Sequence, residues 1–337
     1  MTAPAAEPLA EPVRDRPVLT VSLAAVAENW RTLKDAAPRA ETAAVVKADG
    51  YGLGAAPIAA KLRAAGCATI FIATIDEGRA LRAGSDSGRR SAALHVDTGM
   101  SRAGLSPAEL DTLVAEPALL AKLDLALVMS HLACGDEADH PQNRLQLGRF
   151  RAALARLPAA PASLAASGGV FLGPDYHFDL VRPGIALYGG HPMLAGANPM
   201  RAAATLTAEV IGVRTLQRGD TAGYGATYAA THEVRLAVCN IGYADGIMRS
   251  LSNRGVAYIG DVACPYAGRV SMDLLTLDVT AVPPALAARG AQVEIIGPRM
   301  PIEEMAARAG TANYEILTGL GNRFTRVMLD SQWTRVV

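Results

Sequence analysis

The 337-residue sequence predicts an α/β protein: parallel βα units in the first half, as a doubly wound sheet or a (β/α) barrel, then a mostly antiparallel β domain. Three observations carry this. From Leu19 to about Tyr188, short apolar runs alternate with Ala- and Leu-rich amphipathic stretches. His191–Pro199 is a Gly/Pro/Asn-rich linker. Beyond it come β-branched runs punctuated by Gly and Asp, the texture of antiparallel sheets.

The elements follow in order. Met1 to Arg16 is rich in Ala, Pro and Glu without apolar periodicity, so residues 1–16 are expected as a disordered tail. Residues 17–195 form the first domain. Its candidate strands are Ala43–Val46, Thr69–Ala73, Ala93–Val96, Leu125–Ser130, Ser163–Ala165 and Leu180–Val181, short apolar runs of the kind parallel sheets bury. Between them lie candidate helices Pro57–Ala65, Asp76–Arg82, Pro107–Ala115 and Gln142–Leu157. Residues 196–337 form the second domain, with strands Thr205–Thr215, Arg235–Ile241, Val256–Ile259, Leu274–Val279 and Gln292–Ile296 and a short helix, Ile302–Ala309.

Composition narrows the function. Lys plus Arg and Asp plus Glu both number 32, and no basic run interleaves with aromatics, which argues against nucleic acid as a partner. No apolar run is long enough for a bilayer, and the N-terminus lacks a signal-peptide layout. Cys67, Cys134, Cys239 and Cys264 stand far apart with no CxxC pair, so reduced thiols and no metal centre are expected, in a cytoplasmic protein.

The chemistry starts at Ala43-Ala44-Val45-Val46-Lys47-Ala48-Asp49-Gly50-Tyr51-Gly52-Leu53-Gly54. A lysine stands where an apolar strand meets a glycine-rich turn, the mouth of a barrel if this is one. It is either a surface lysine or, partly desolvated, a Schiff-base nucleophile. The stretch resembles the cofactor-lysine motif of the alanine racemase family, whose lysine holds pyridoxal 5'-phosphate. Asn240-Ile241-Gly242-Tyr243-Ala244-Asp245-Gly246 is similar to the family segment whose tyrosine serves the partner subunit's cofactor. Racemisation needs a base on each face of Cα. The resemblance implies Lys47 and Tyr243 for these roles, in a homodimer with shared sites.

Further matches run in family order. Val181-Arg182-Pro183-Gly184-Ile185 resembles the segment in which an arginine faces the cofactor's pyridine nitrogen and the Gly and Ile amides bind its phosphate. Guanidinium is donor-only and always charged, so it leaves that ring nitrogen neutral. Asp97-Thr98-Gly99-Met100-Ser101-Arg102 resembles the segment whose arginine touches the cofactor's phenolic oxygen, and Arg102 also falls on the substrate side. The resemblance implies that His131 orients Arg182, that Ser167 and Tyr51 bind phosphate, and that Met272 and Asp273 shape the neighbouring subunit's substrate pocket. L-alanine and D-alanine are the implied substrate pair, D-alanine being a peptidoglycan precursor.

Three departures stand out. His95 occupies the place of a modified lysine that steers the family's arginine. Asn322 is aligned with a second phosphate-binding tyrosine. Arg82 to Arg90 leads directly into the strand before Asp97, where the family places two further βα units. The resemblance therefore implies a (β/α) barrel shortened to about six strands. A sheet so shortened must close more tightly or stay open at its edges. Two other readings follow: a cofactor-binding relative made weak or inert by the missing units, or a racemase of broader specificity.

Overall fold

Six short parallel strands carry the barrel domain in the computed structural model, which describes residues 16–82, 91–331 and 334–336. Strand β1 (Val18–Ser22) precedes them. The barrel begins with one strand in two segments, β2 (Glu41–Thr42) and β3 (Ala44–Val45). It continues with β4 (Ile70–Phe71), β5 (Ala92–His95), β6 (Leu125–Met129), β7 (Ala162–Ser163) and β8 (Leu180–Val181). β2 pairs with β8 and β3 with β4, while β5, β6 and β7 form a second parallel group. The Asp179 amide bonds to the Ala162 carbonyl at 3.0 Å and the Arg182 amide to that of Ala165 at 2.9 Å, which joins β7 to β8.

Among the described residues no ladder joins β4 to β5. Among the described residues the sheet is therefore open at the place where the expected shortening falls. The Gly- and Ser-rich stretch 83–90 lies outside the described residues. Packing shows the same seam. One apolar cluster gathers β3, the helices nearest it and the second domain. A separate cluster, with Val96, Val128, Phe150 and Leu164, sits under β5 to β7. Ile70, Phe71, Ile72 and Leu94, flanking the gap, are only half-buried. Helix Ile75–Leu81 beside it buries no residue.

The second domain is built on β9 (Ala204–Leu216), whose first half alternates buried and half-buried residues, the period of a strand covered on one face. It pairs antiparallel with Val234–Cys239 and Gln292–Ile296 in a nine-stranded sheet. One element crosses the expected boundary. β1 begins the stretch assigned to the barrel, yet it is hydrogen-bonded into this second sheet, between β9 and Thr325–Ser331. Its apolar run suits either sheet, and the partners that decide lie far along the chain. The helix that follows, Leu23–Ala36, is capped by the Ser22 hydroxyl, which accepts the Ala25 amide at 3.1 Å. Of the expected tail, 1–16, only Arg16 is described. No helix among the described residues is long and apolar enough to cross a membrane.

Candidate active site

Lys47 leaves β3 at the barrel mouth and enters an unusual turn. Ala48, Asp49, Gly50 and Tyr51 all have left-handed backbones, with φ of 53°, 51°, 62° and 58°. Only glycine adopts this freely, and each other residue costs roughly 1–2 kcal/mol. Hydrogen bonds offset that cost. The Gly50 amide donates to Val46, the Gly52 amide to Ala48 and the Gly54 amide to Asp49, each at 2.8 Å. The Asp49 carboxylate accepts the Ala55 amide at 2.8 Å, and the Glu77 carboxylate accepts that of Ala48 at 2.8 Å. The turn drives Tyr51 inward, where its ring packs 4.7 Å from that of Tyr188. Burial raises the Tyr51 phenol well above its ordinary range.

A ring of basic side chains, two arginines and two histidines, lies near this lysine. Arg182 is buried and donates to the Ser163 hydroxyl and, at 2.6 Å, to the Ser130 carbonyl. Burial lowers it to about 10, so it is charged at neutral pH. His131 is pushed down to about 4, first by burial and then by Arg182, Arg102, Lys47 and His95. Those four groups all act at one imidazole, so the five side chains share one site. His95 is lowered as well, by burial, Arg182 and Arg102, with Asp97 opposing. The Asp97 carboxylate accepts the amides of Gly99, Met100 and Ser101 at 2.9–3.0 Å, which shapes the loop that carries Arg102 and holds the carboxyl below its usual range.

An anion cradle adjoins the ring. The buried Ser167 hydroxyl accepts the Gly184 amide at 2.9 Å and that of Ala186 at 3.3 Å, so these amides and the Ile185 backbone gather at one point. The Tyr51 hydroxyl stands over Gly184, where any Cβ would overlap it. Glycine is required there by close approach. Cationic side chains, a hydroxyl and a phenol around one lysine suit a phosphorylated, anionic aldehyde such as pyridoxal phosphate.

The second domain holds a separate group. Tyr243 is 42% exposed on a turn whose amides at 243 and 244 bond to Ser271 and Met272 at 2.9 Å. Gly242 touches the Met272 carbonyl so closely that a Cβ has no room. Arg323 pairs with buried Asp245 at 2.9 Å and with Asp273 at 2.7 Å. Tyr243, Met272, Tyr224, Arg249, Arg269 and Val270 line an open recess of about 260 Å³. The geometry thus brings Lys47, Tyr51, Arg102, His131, Ser167, Arg182, Gly184 and Ile185 into one group and Tyr243, Met272 and Asp273 into another, and Arg326 links the two by donating to the Gly52 carbonyl at 3.1 Å and the Gly321 carbonyl at 3.0 Å.

Asn322 falls with the second group. The Gly321 amide bonds to Asp245 at 3.1 Å, and exposed Asn322 lies between it and Arg323. The ring beside Tyr51 belongs instead to Tyr314, 6.1 Å away, whose phenol is raised to about 12 by burial and by Asp136. Sequence reading missed this tyrosine because no local pattern marks it. It also missed Gln146, fully buried, which accepts the Ala133 amide at 2.8 Å and donates to the His131 carbonyl at 2.9 Å and the Thr98 hydroxyl at 3.2 Å. Here a signal existed: Gln142, Gln146 and Arg149 lie on one helix face, and all three grip the Thr98–Gly99 loop or the strand end at His131. Cys134, Glu137 and His140 bring donor atoms within 4.8 Å of one another, but His140 spends Nδ1 accepting the Gln142 amide as a helix cap.

Comparison with known proteins agrees with this geometry. The family model for the alanine racemase N-terminal domain matches residues 21–89 and 85–192, and that for the C-terminal domain matches 203–328. The first match breaks where the barrel is open. The catabolic alanine racemase of Agrobacterium fabrum is 44% identical over 352 positions, covering 91% of each chain. Those positions outnumber 91% of 337 residues, so several dozen of its residues face gaps here. The alanine racemase of Rhodospirillum rubrum is also 44% identical, over 92% of this chain and 95% of its own. A crystal structure of alanine racemase from Bartonella henselae with covalently bound pyridoxal phosphate superposes with a TM-score of 0.88 at 35% identity, covering 93% of this chain and 99% of that one. The chain belongs to the alanine racemase family.

Proposed function

We propose that this chain is a pyridoxal-phosphate-dependent racemase that interconverts L- and D-alanine, with Lys47 and Tyr243 as its two acid–base groups. The observation that carries this is the gathering of Arg182, Arg102, His95 and Lys47 around His131, with Gly184 of the Ser167–Gly184 cradle following Arg182 in the chain. The bound cofactor supplies the electron sink that acidifies Cα of the amino acid. Lys47 holds the cofactor and moves the proton on one face. Tyr243 moves it on the other. Ser167, the Gly184 and Ile185 amides, Tyr51 and Tyr314 would hold the phosphate, and Arg182 would supply a hydrogen-bond donor to the pyridine ring. Buried His131 is neutral beside Arg182 and can accept a hydrogen bond without adding charge. Arg102, Met272 and Asp273 bind substrate.

The exposure of Tyr243 supports a shared site. Tyr243 sits exposed on the second domain beside an open recess, so a second copy of the chain supplies it, in a homodimer. The setting is the cytoplasm, where D-alanine serves as a cell-wall precursor. Borohydride reduction of the loaded protein followed by peptide mapping tests the central assignment. The pyridoxyl group is expected on Lys47, and a label on Lys34 or Lys61 overturns it.

A second reading has its own observation. Among the described residues no ladder joins β4 to β5, the strand that carries His95. On that reading the chain binds the cofactor and turns over weakly or not at all. A D-amino-acid-oxidase-coupled assay on L-alanine separates the two.

A further inference from the structure

Glu77 has no part in the mechanism above, yet its carboxylate is spent on the segment that carries Lys47. One oxygen accepts the Ala48 amide at 2.8 Å, and the other accepts the amides of Ala73 at 2.7 Å and Thr74 at 3.3 Å. The Ala73 amide, then those of Ala48 and Thr74, then the Lys47 charge, hold its carboxyl below the usual range. The helix that bears it, Ile75–Leu81, buries no residue and stands at the open side of β4. A closed barrel would set a further strand against that edge. Here the edge has none among the described residues.

We propose that Glu77 is a positioning residue for Lys47, tying the left-handed turn at Ala48 to the exposed rim of the open barrel. The reason is geometric. Ala48 lies in a backbone region that an alanine leaves when released, and Lys47 precedes it directly, so its side chain swings with that relaxation. Asp49 clamps the far end of the turn through Ala55, and Glu77 clamps the near end. The charged acceptor fixes the lysine's direction and places a negative charge beside its ammonium. The missing units make this tie weightier, because apolar packing holds so little of the helix in place.

The inference rests on Lys47 as the cofactor-holding lysine, and its test keeps the two claims apart. Glu77→Ala removes the tie, and Glu77→Gln keeps a neutral acceptor. Thr74→Ala weakens the same helix by deleting the hydroxyl that caps it, at 3.2 Å from the Glu77 amide, while leaving the carboxylate on Ala48. Amide hydrogen exchange of residues 47–54 is read first, on the full chain without cofactor. The rate at which added pyridoxal phosphate is fixed to Lys47 by borohydride trapping is read second. Glu77→Ala is expected to raise exchange across 47–54 and to slow capture about tenfold or more, the usual weight of a charged hydrogen bond. Glu77→Gln should lie between it and the unaltered protein, and Thr74→Ala should leave both readouts nearly unchanged. Unchanged exchange in Glu77→Ala, or equal effects from Thr74→Ala, overturns the proposal. If the unaltered protein never captures the cofactor, the functional reading fails and the exchange data alone decide this one.

Discussion

At the scale of single residues, the site works by setting charge against burial. His131 shows this most directly. Its folded pKa of about 4 lies below the ordinary 6.5, so the unfolded chain binds the extra proton between those values. Stability from the neutral imidazole is complete above about pH 6.5 and is lost as pH falls toward 4, by up to roughly 3 kcal/mol. The melting temperature should therefore drop more steeply over that window in the unaltered protein than in His131→Gln, and parallel curves would refute the assignment. Tyr243 is expected to act through its proton alone. Tyr243→Phe should lower racemisation by about 10² or more while cofactor absorbance persists. Mixing it with inactive Lys47→Ala should restore some activity if each site draws its tyrosine from the partner chain. Verified heterodimers that show no recovery would argue for sites confined to one chain.

Individual elements matter through what they carry to the mouth. Helix Pro141–Leu154 contributes little charge chemistry of its own, but its inner face holds two loops in place. Gln146 bonds the Ala133 amide, the His131 carbonyl and the Thr98 hydroxyl, the last shared with the Ser130 hydroxyl. Gln146→Leu fills the space but leaves the Ala133 amide without its acceptor, at a cost of about 2–4 kcal/mol. Urea unfolding should show that loss, and cofactor affinity should fall with it because His131 and the Thr98 loop are released together. A variant as stable as the parent would show that water or another side chain takes over the bonds. The cradle behaves differently. Gly184→Ala puts a methyl against the Tyr51 hydroxyl, so cofactor retention should suffer more than stability, as gel filtration of loaded protein would reveal.

For the whole molecule, the open seam is the dominant fact. β8, β7 and the cradle lie on the far side of β3 from it, so phosphate binding is expected to persist. His95 and the Arg102 loop lie at the strand that borders it, whose far edge is covered among the described residues by that loop itself, Leu105 bonding to the His95 carbonyl at 2.8 Å and accepting the Asp97 amide at 2.9 Å. Racemisation should accordingly be slow, below the common range of about 1–10³ per second. A turnover number inside that range would show that the second domain and the partner chain hold the mouth without the missing units. The β4 edge, which has no ladder on one side among the described residues, also leaves backbone groups unpaired by strands, and light scattering that grows with concentration is the expected sign.

Much of this protein was legible in its sequence because the relevant signals are local. Each barrel strand shows as a short apolar run, the β domain announces itself by β-branched texture, and the family motifs name seven residues to accompany Lys47 in the first domain. The shortage of βα units was legible too, as a short interval between Ile72 and Leu94. Other features depend on partners distant in the chain. β1 reads as an ordinary strand, and only pairing with β9 and Thr325–Ser331 assigns it to the second sheet. Tyr314 and Asn322 both stand in the last stretch of chain, and only packing sets the tyrosine beside Tyr51 and the asparagine beside Asp245. The left-handed run from Ala48 to Tyr51 is held by Glu77 from a different βα unit. Whether a six-stranded sheet closes or stays open was likewise a tertiary decision. The pattern of each strand suits either outcome, and among the described residues the open one follows from the pairing of β4 with β3 and of β5 with β6 and its own Leu105 loop, with no ladder between them.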